Sequence, residues 1–187
     1  NRIAQNFGLS EIDALPIPIA EEIDLNKPRV QIPDTLKDIL SDDHLERLNH
    51  AYGKSFPDVA RAMLGQFPHP PDLIAFPENQ EDVVNTLDWA NKNNIAVIPY
   101  GGGSSVCGGV ETDVDDSYSG VISLDLRNLN QVLEIDKESR AARIQAGIFG
   151  PALEEELKKS NLTLRHFPQS FEHSTLGGWI ATRSGGH

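Results

Sequence analysis

"IAVIPYGGGSSVCGG", residues 95–109, runs an apolar, β-branched stretch straight into three glycines and two serines. Residues 95–98 have the composition of a buried strand. Three successive glycines cost backbone entropy and supply no packing. So bare a backbone after a strand leaves three readings: a phosphate-binding turn, a nucleophile on a sharp turn, or a plain loop.

Flanking residues separate these readings. A dinucleotide-binding turn needs G-x-G-x-x-G at the mouth of a helix, with an acidic residue about 20 positions on. Gly101 and Gly103 fit, and Asp125 stands near the right distance, but Val106 occupies the third glycine's place. Residues 104–120 also lack a helical apolar period. A NAD-dependent Rossmann-type dehydrogenase is therefore the weaker alternative. An ATP-type P-loop requires Gly-Lys-Ser/Thr at the end of the glycine stretch, and 101–109 has no lysine. No G-x-S-x-G surrounds Ser104 or Ser105, so a serine nucleophile is not indicated. What remains is an anion-binding concavity of successive N–H groups, with serine hydroxyls as further donors.

Outward from this point the chain alternates. Residues 72–76 read as a strand, 79–91 as a helix with Val83, Val84, Leu87 and Ala90 on one face and Asn79 as cap, and 120–126 as another strand. Strand, helix, strand predicts a parallel pair with a crossover. Residues 132–135 and 141–145 flank a polar turn as a hairpin. A helix is expected over 151–160, supported by Glu154/Lys158 and Glu155/Lys159 pairs and stopped at Asn161. Before the strands, residues 1–34 read as an irregular arm, and 42–52 and 57–64 as short helices. "FPHPPD" (67–72) marks a boundary between a 1–66 arm-and-helix extension and a 67–187 domain. The expected fold is α+β, a mixed sheet flanked by helices in two subdomains.

The bulk numbers narrow the function classes. The 187 residues suffice for a real core. A net charge of -12 argues against nucleic acid, whose phosphates need a basic surface. One cysteine, Cys107, permits no internal disulfide and is expected to pack as a small residue in a reducing compartment. No stretch approaches the roughly 20 apolar residues of a membrane span, and no metal-ligand spacing occurs. The chain begins at Asn1 and stops inside "RSGGH", so a truncated C-terminus is expected.

A second stretch, "FPQSFEHSTLGGWIATRSGGH" (167–187), gathers small polar residues around an apolar center, reading as loop, short buried helix and loop. Its Arg183 offers a fixed positive charge to an anionic ligand, with a surface ion pair as the plainer reading.

Together, "PPDLIAFPENQEDVVNTLDWANKNNIAVIPYGGGSS" (70–105) and "SFEHSTLGGWIATRSGG" (170–186) resemble the FAD-binding domain of the vanillyl-alcohol oxidase/p-cresol methylhydroxylase superfamily. Within it, the likeness is to alkyldihydroxyacetonephosphate synthase and bacterial FAD-linked oxidases. The resemblance implies that Pro99, Tyr100, Gly101, Gly102, Gly103, Ser104 and Ser105 wrap the FAD pyrophosphate. It lays Gln169, Ser170, Phe171, Glu172, His173, Ser174 and Thr175 along the ribityl and isoalloxazine end. Thr182, Arg183, Ser184 and Gly185 complete the set. Gln169 and His173 depart from the family's aspartate and aromatic. Ser104 stands where some relatives carry a flavin-linking histidine, so non-covalent FAD is expected. His187 is a minor candidate for attachment, and His173 is expected to be a satisfied structural residue.

The implied protein is a flavoenzyme acting on a small molecule: a hydroxy acid, an alcohol or acyl-dihydroxyacetone phosphate. A homodimer is open, and the expected compartment is the cytoplasm, or a peroxisome in a eukaryote. Substrate-side residues are expected outside this chain, so no catalytic residue is named. A cofactor-free interaction domain is the non-enzymatic alternative.

Overall fold

The computed structural model describes residues 2–10 and 13–186. The arm carries helix α1 (Arg2–Asn6) and two 3-10 turns, Ala20–Glu22 and Asp34–Leu36. Strand β1 (Leu40–Ser41) follows, then helices α2 (His44–Asn49) and α3 (Phe56–Met63). The Asp43 carboxylate accepts from the Glu46 N–H to cap α2, and Ser55 with Asp58 forms a capping box on α3. α3 turns its polar side inward: Asp58 is buried, while Phe56 and Met63 are exposed.

Next come β2 (Leu73–Ala75), α4 (Gln80–Lys92), β3 (Ile95–Tyr100) and β4 (Gly120–Asp125). The sheet order is β1-β2-β4-β3. β2 and β3 are parallel, as the strand-helix-strand order predicts, but they are not neighbors. Each pairs with β4, and β1 adds antiparallel to β2. All six β4 residues are buried, which places this strand at the center. β3 is therefore an edge strand and only half-buried, not the buried strand its composition suggests. That position tolerates Pro99, which cannot donate to a ladder. On α4, Asn79 caps as expected, but the inward face holds Thr86 and Ala90, whereas Val84 and Leu87 are exposed.

β5 (Val132–Asp136) and β6 (Ala141–Ile144) form the expected hairpin as a separate two-stranded sheet. Helix α5 (Gly150–Lys158) ends before Asn161, whose φ of 58° accommodates the reversal. The expected Glu154/Lys158 and Glu155/Lys159 pairs do not form. Lys159 instead donates to Glu156 at 2.6 Å, and Glu154 accepts from the Thr163 hydroxyl at 2.6 Å and the Leu164 N–H at 3.0 Å. Helix α6 (Leu176–Thr182) closes the described chain, and only Trp179 on it is buried.

Two hydrophobic clusters hold these parts. One gathers Leu36, Leu73, Ile122 and Ala90 around the larger sheet. The other joins Ile148, Leu153, Leu157 and Trp179 under the hairpin and α5. Each fully buried aliphatic side chain contributes about 1.5–3 kcal/mol. The mixed sheet, the flanking helices and the two clusters match the expected α+β, two-part fold.

Candidate functional site

The parallel strands end on one side of the sheet, where open α/β sheets present their ligand crevices. β3 makes its last ladder contact there, with the Tyr100 carbonyl accepting from the Leu126 N–H at 3.1 Å. The chain then leaves the sheet. The N–H groups of Gly101, Gly102, Gly103, Ser104 and Ser105 have no hydrogen-bond partner among the described residues. Backbone donors kept from water normally find partners, so five in a row mark a place for a ligand or solvent.

These residues line a cavity of about 480 Å³. Its facing wall is the second motif: Ser170, Ser174 and Thr175 before α6, then Gly177, Gly178, Trp179, Thr182 and Ser184. Leu126 and Ala146 close the sides. Only neutral side chains line the cavity. In a chain of charge -12, this leaves an anion facing amides and hydroxyls with no carboxylate beside it. No helix begins after Gly103, since the next one is α5. A Rossmann turn is thereby excluded, and the loop grips without a helix dipole.

The glycines have a second use, as spacers. A Cβ on Gly101 would strike the Thr175 hydroxyl, and one on Gly102 the His173 carbonyl oxygen. Gly103 has φ +64° and lies against the Tyr100 hydroxyl. The plain-loop reading is thus half right: bare backbone lets the two motifs touch, and the amides left over face the gap between them. Gly177 is a spacer too, since a Cβ there would stand 2.7 Å from the Ala146 Cβ.

Beneath the loop lies a buried polar cluster. The Asp125 carboxylate, fully buried, accepts from His50 Nε2 at 2.9 Å, from Arg127 Nε at 2.8 Å and from the Arg127 N–H at 2.8 Å. Burial works against its ionization, but the His50 and Arg127 donors outweigh it and hold the carboxyl below its usual value. The candidate ribose-binding acid of the Rossmann alternative is therefore a structural carboxylate. The Tyr100 hydroxyl donates to the Asn49 carbonyl at 3.1 Å, and burial pushes its pKa up to about 12, so it stays a neutral donor.

The remaining sequence expectations divide. Phe171 packs behind the wall, stacked on Trp179 with ring centroids 5.9 Å apart. Gln169, Glu172, His173, Arg183 and Gly185 are exposed and do not line the cavity. Among the described residues the His173 ring has no hydrogen-bond partner, contrary to its expected satisfied role. Arg183 has no ion pair among the described residues, contrary to the surface-pair reading. Cys107 is exposed and lines the cavity instead of packing inside. His187 lies outside the described residues. Residues 53–55 do read Gly-Lys-Ser, but Leu48 stands where a P-loop needs its first glycine, and Ser55 is a helix cap. Sequence reasoning missed Leu126 and Ala146, which only the topology brings to the cavity. It also missed Gly177, Gly178 and Trp179 as lining residues, although they sit inside the quoted motif.

Residues 71–187 match the family model described as "FAD binding domain". The chain is 41% identical over 97% of its length to alkyldihydroxyacetonephosphate synthase of Dictyostelium discoideum, covering 30% of that protein. It is 32% identical over 83% of its length to an uncharacterized FAD-linked oxidoreductase of Escherichia coli (strain K12), covering 32% of it. A solved alkyldihydroxyacetonephosphate synthase structure superposes with a TM-score of 0.86 at 40% identity, over 95% of this chain and 34% of the other. The chain thus spans about a third of the relatives it matches. Unpartnered amides over a neutral cavity and a family match across both motifs agree on the cofactor, and the chain belongs to the FAD-binding-domain family of flavoenzymes.

Proposed function

We propose that the cleft between the Gly101–Ser105 loop and the 170–184 segment holds the diphosphate and adjoining part of FAD without a covalent link. The observation that carries this is the run of unpartnered amides from Gly101 to Ser105 on the wall of the 480 Å³ cavity. Ser104 lines that cavity, and the loop offers no histidine for attachment. Within this reading, Ser170, Ser174, Thr175, Thr182 and Ser184 bring hydroxyls and backbone toward the rest of the nucleotide. Arg183, Gln169, Glu172, His173 and Gly185 adjoin the lining residues in sequence and meet an extended ligand from outside the cavity, while Phe171 braces Trp179. Bound FAD supplies the redox-active ring; the chain's own groups bind it and orient it.

For the parent enzyme, an alkyldihydroxyacetonephosphate synthase activity is the first reading, supported by the 41% and 38% identical synthases. Oxidation of an alcohol or hydroxy acid is the second, supported by the FAD-linked oxidoreductase. Among the described residues no helix is long and apolar enough to cross a membrane. The single thiol, Cys107, supports a reducing compartment.

The test is a titration with FAD, reading visible absorbance and thermal stability together. A ligand that binds only the folded state must raise its stability, by about 2.7 kcal/mol at 100-fold excess over Kd. A colorless protein with an unchanged Tm would remove the assignment. Anaerobic bleaching of the flavin by a hydroxy acid would select the second reading.

A further inference from the structure

The glycine loop is held at both ends by a segment that lies before the family-model match. At its start, the Tyr100 hydroxyl donates to the Asn49 carbonyl at 3.1 Å, and the Tyr100 ring lies 4.3 Å from the His50 ring, centroid to centroid. At its end, the Lys54 N–H donates to the Ser105 carbonyl at 2.7 Å, and Gly53 presses against that same carbonyl. Between these holds, Gly101–Ser104 has no hydrogen bond to protein among the described residues. The loop is a bridge pinned at its two feet.

His50 fixes the pins in place. It is fully buried, with Nδ1 2.7 Å from the Glu46 carbonyl and Nε2 2.9 Å from Asp125 Oδ2. Both ring nitrogens lie within hydrogen-bond distance of oxygen atoms, one on α2 and one on β4, so the ring ties α2 to the end of β4. The Glu46 carboxylate stands 3.5 Å from Nδ1, and Arg127 Nη2 stands 3.4 Å from Nε2. The fully buried ring does not itself line the cavity; it packs against Tyr100, which does. Its place suits holding.

We propose that residues 49–54, anchored by His50, are a positioning element of the cofactor site that preorganizes the Gly101–Ser105 amides for the diphosphate. The inference rests on the FAD reading above. Preorganization acts on affinity, because a loop already shaped for its ligand loses less entropy on binding. A domain cut at the family boundary near residue 71 would lose both pins.

The experiment uses the purified protein and three variants, with FAD as the probe. Gly53→Ala pushes on the Ser105 foot, His50→Leu removes both ring contacts, and His50→Gln restores one toward Asp125. Leu36→Ala, in the sheet core away from the loop, serves as a control of lowered stability. Expected are a loss of FAD affinity of about tenfold or more in Gly53→Ala and His50→Leu, partial recovery in His50→Gln, and an altered visible circular dichroism band of the bound flavin. Leu36→Ala keeps the wild-type affinity and band. Amide hydrogen exchange at Lys54, whose N–H is bonded to the Ser105 carbonyl, should speed up without FAD in Gly53→Ala, which keeps the test alive if His50→Leu fails to fold. Wild-type affinity, spectrum and exchange in Gly53→Ala would overturn the positioning role while leaving the FAD assignment standing. A wild-type protein that takes up no FAD would remove the assignment and the positioning role with it.

Discussion

Gly102 and His173 meet backbone to backbone, so closely that a methyl group on residue 102 would collide with the His173 carbonyl oxygen. The two residues are far apart in sequence and join the two motifs into one wall-to-wall cleft. The contact accounts for a glycine at this position without reference to a ligand.

Gly102→Ala should therefore separate the motifs. Backbone atoms cannot swing aside as a flexible side-chain end can, so the substitution should destabilize by about 1–3 kcal/mol, the usual scale for overpacking. FAD binding should weaken in the same variant because the cleft widens. Gly108→Ala makes the comparison: φ there is +74° but the nearest atom is 3.7 Å away, so backbone strain acts without a collision. Thermal unfolding with and without FAD distinguishes the two effects. Equal FAD affinity in Gly102→Ala and wild type would show that the Gly102–His173 contact does not shape the site.

Trp179 offers an optical test of where the ligand sits. It lines the cavity, and its indole N–H donates to Ser174 Oγ at 2.6 Å. The other tryptophan, Trp89, lies on α4 against the sheet core. Flavin absorbs where tryptophan emits, so adding FAD to the apoprotein should quench fluorescence strongly. Trp89→Phe should keep most of the quench and Trp179→Phe should lose most of it. The reverse pattern would put the flavin elsewhere.

Much of this was legible in the chain, and the failures have physical causes. Helix ends announced themselves locally: Asn79 caps α4 and Asn161 follows the end of α5, both as expected. Strand positions were readable from apolar runs, but not their order: β4 takes the center between β2 and β3, with all six of its residues buried. Val84 and Leu87 misled the α4 face, since Thr86 turns inward and satisfies its hydroxyl on the Asp82 carbonyl at 2.8 Å. The glycine loop and the 170–184 segment were visible as a pair only through resemblance, because nothing local in either says that they touch. His50, Asn49 and Gly53 carried no motif signal for a nucleotide site. Their part comes from tertiary contact across more than fifty positions.

Asp125 predicts the acid limb of stability. Burial alone would raise its carboxyl, but donation from His50 and from the Arg127 guanidinium and N–H brings it below the usual value. A carboxyl held low only in the folded state makes the unfolded state bind more protons as pH falls. Its stabilization is complete above the unfolded value near 4 and drains away as pH drops toward the depressed folded value. Asp58, also held low, adds a contribution of the same sign. Tm should thus be level through neutral pH and fall steeply below about 4. Asp125→Asn should flatten that limb and destabilize at neutral pH by roughly 3 kcal/mol. That is the low end for breaking a buried pair, because Arg127 reaches solvent. A wild-type acid limb in Asp125→Asn would assign the acid sensitivity to other carboxylates.

Arg183 separates affinity from stability in a single substitution. It caps the end of α6 in the left-handed region, at φ 50° and ψ 46°, a conformation glycine adopts freely and arginine does not. Its guanidinium is exposed and has no ion pair among the described residues. Arg183→Gly should therefore relieve about 1 kcal/mol of backbone strain and leave the apoprotein as stable as wild type, or more so. It also removes a positive charge beside Thr182 and Ser184, which line the cavity. If that charge serves the FAD diphosphate, Kd should rise several-fold. The loss should shrink as salt is raised, because screening weakens an exposed charge. Measuring Tm without ligand and Kd at two ionic strengths gives both signs from the same protein. A Kd unchanged at low salt would remove Arg183 from the binding set, and a lower apoprotein Tm would show that its side chain, not its backbone, holds the end of α6.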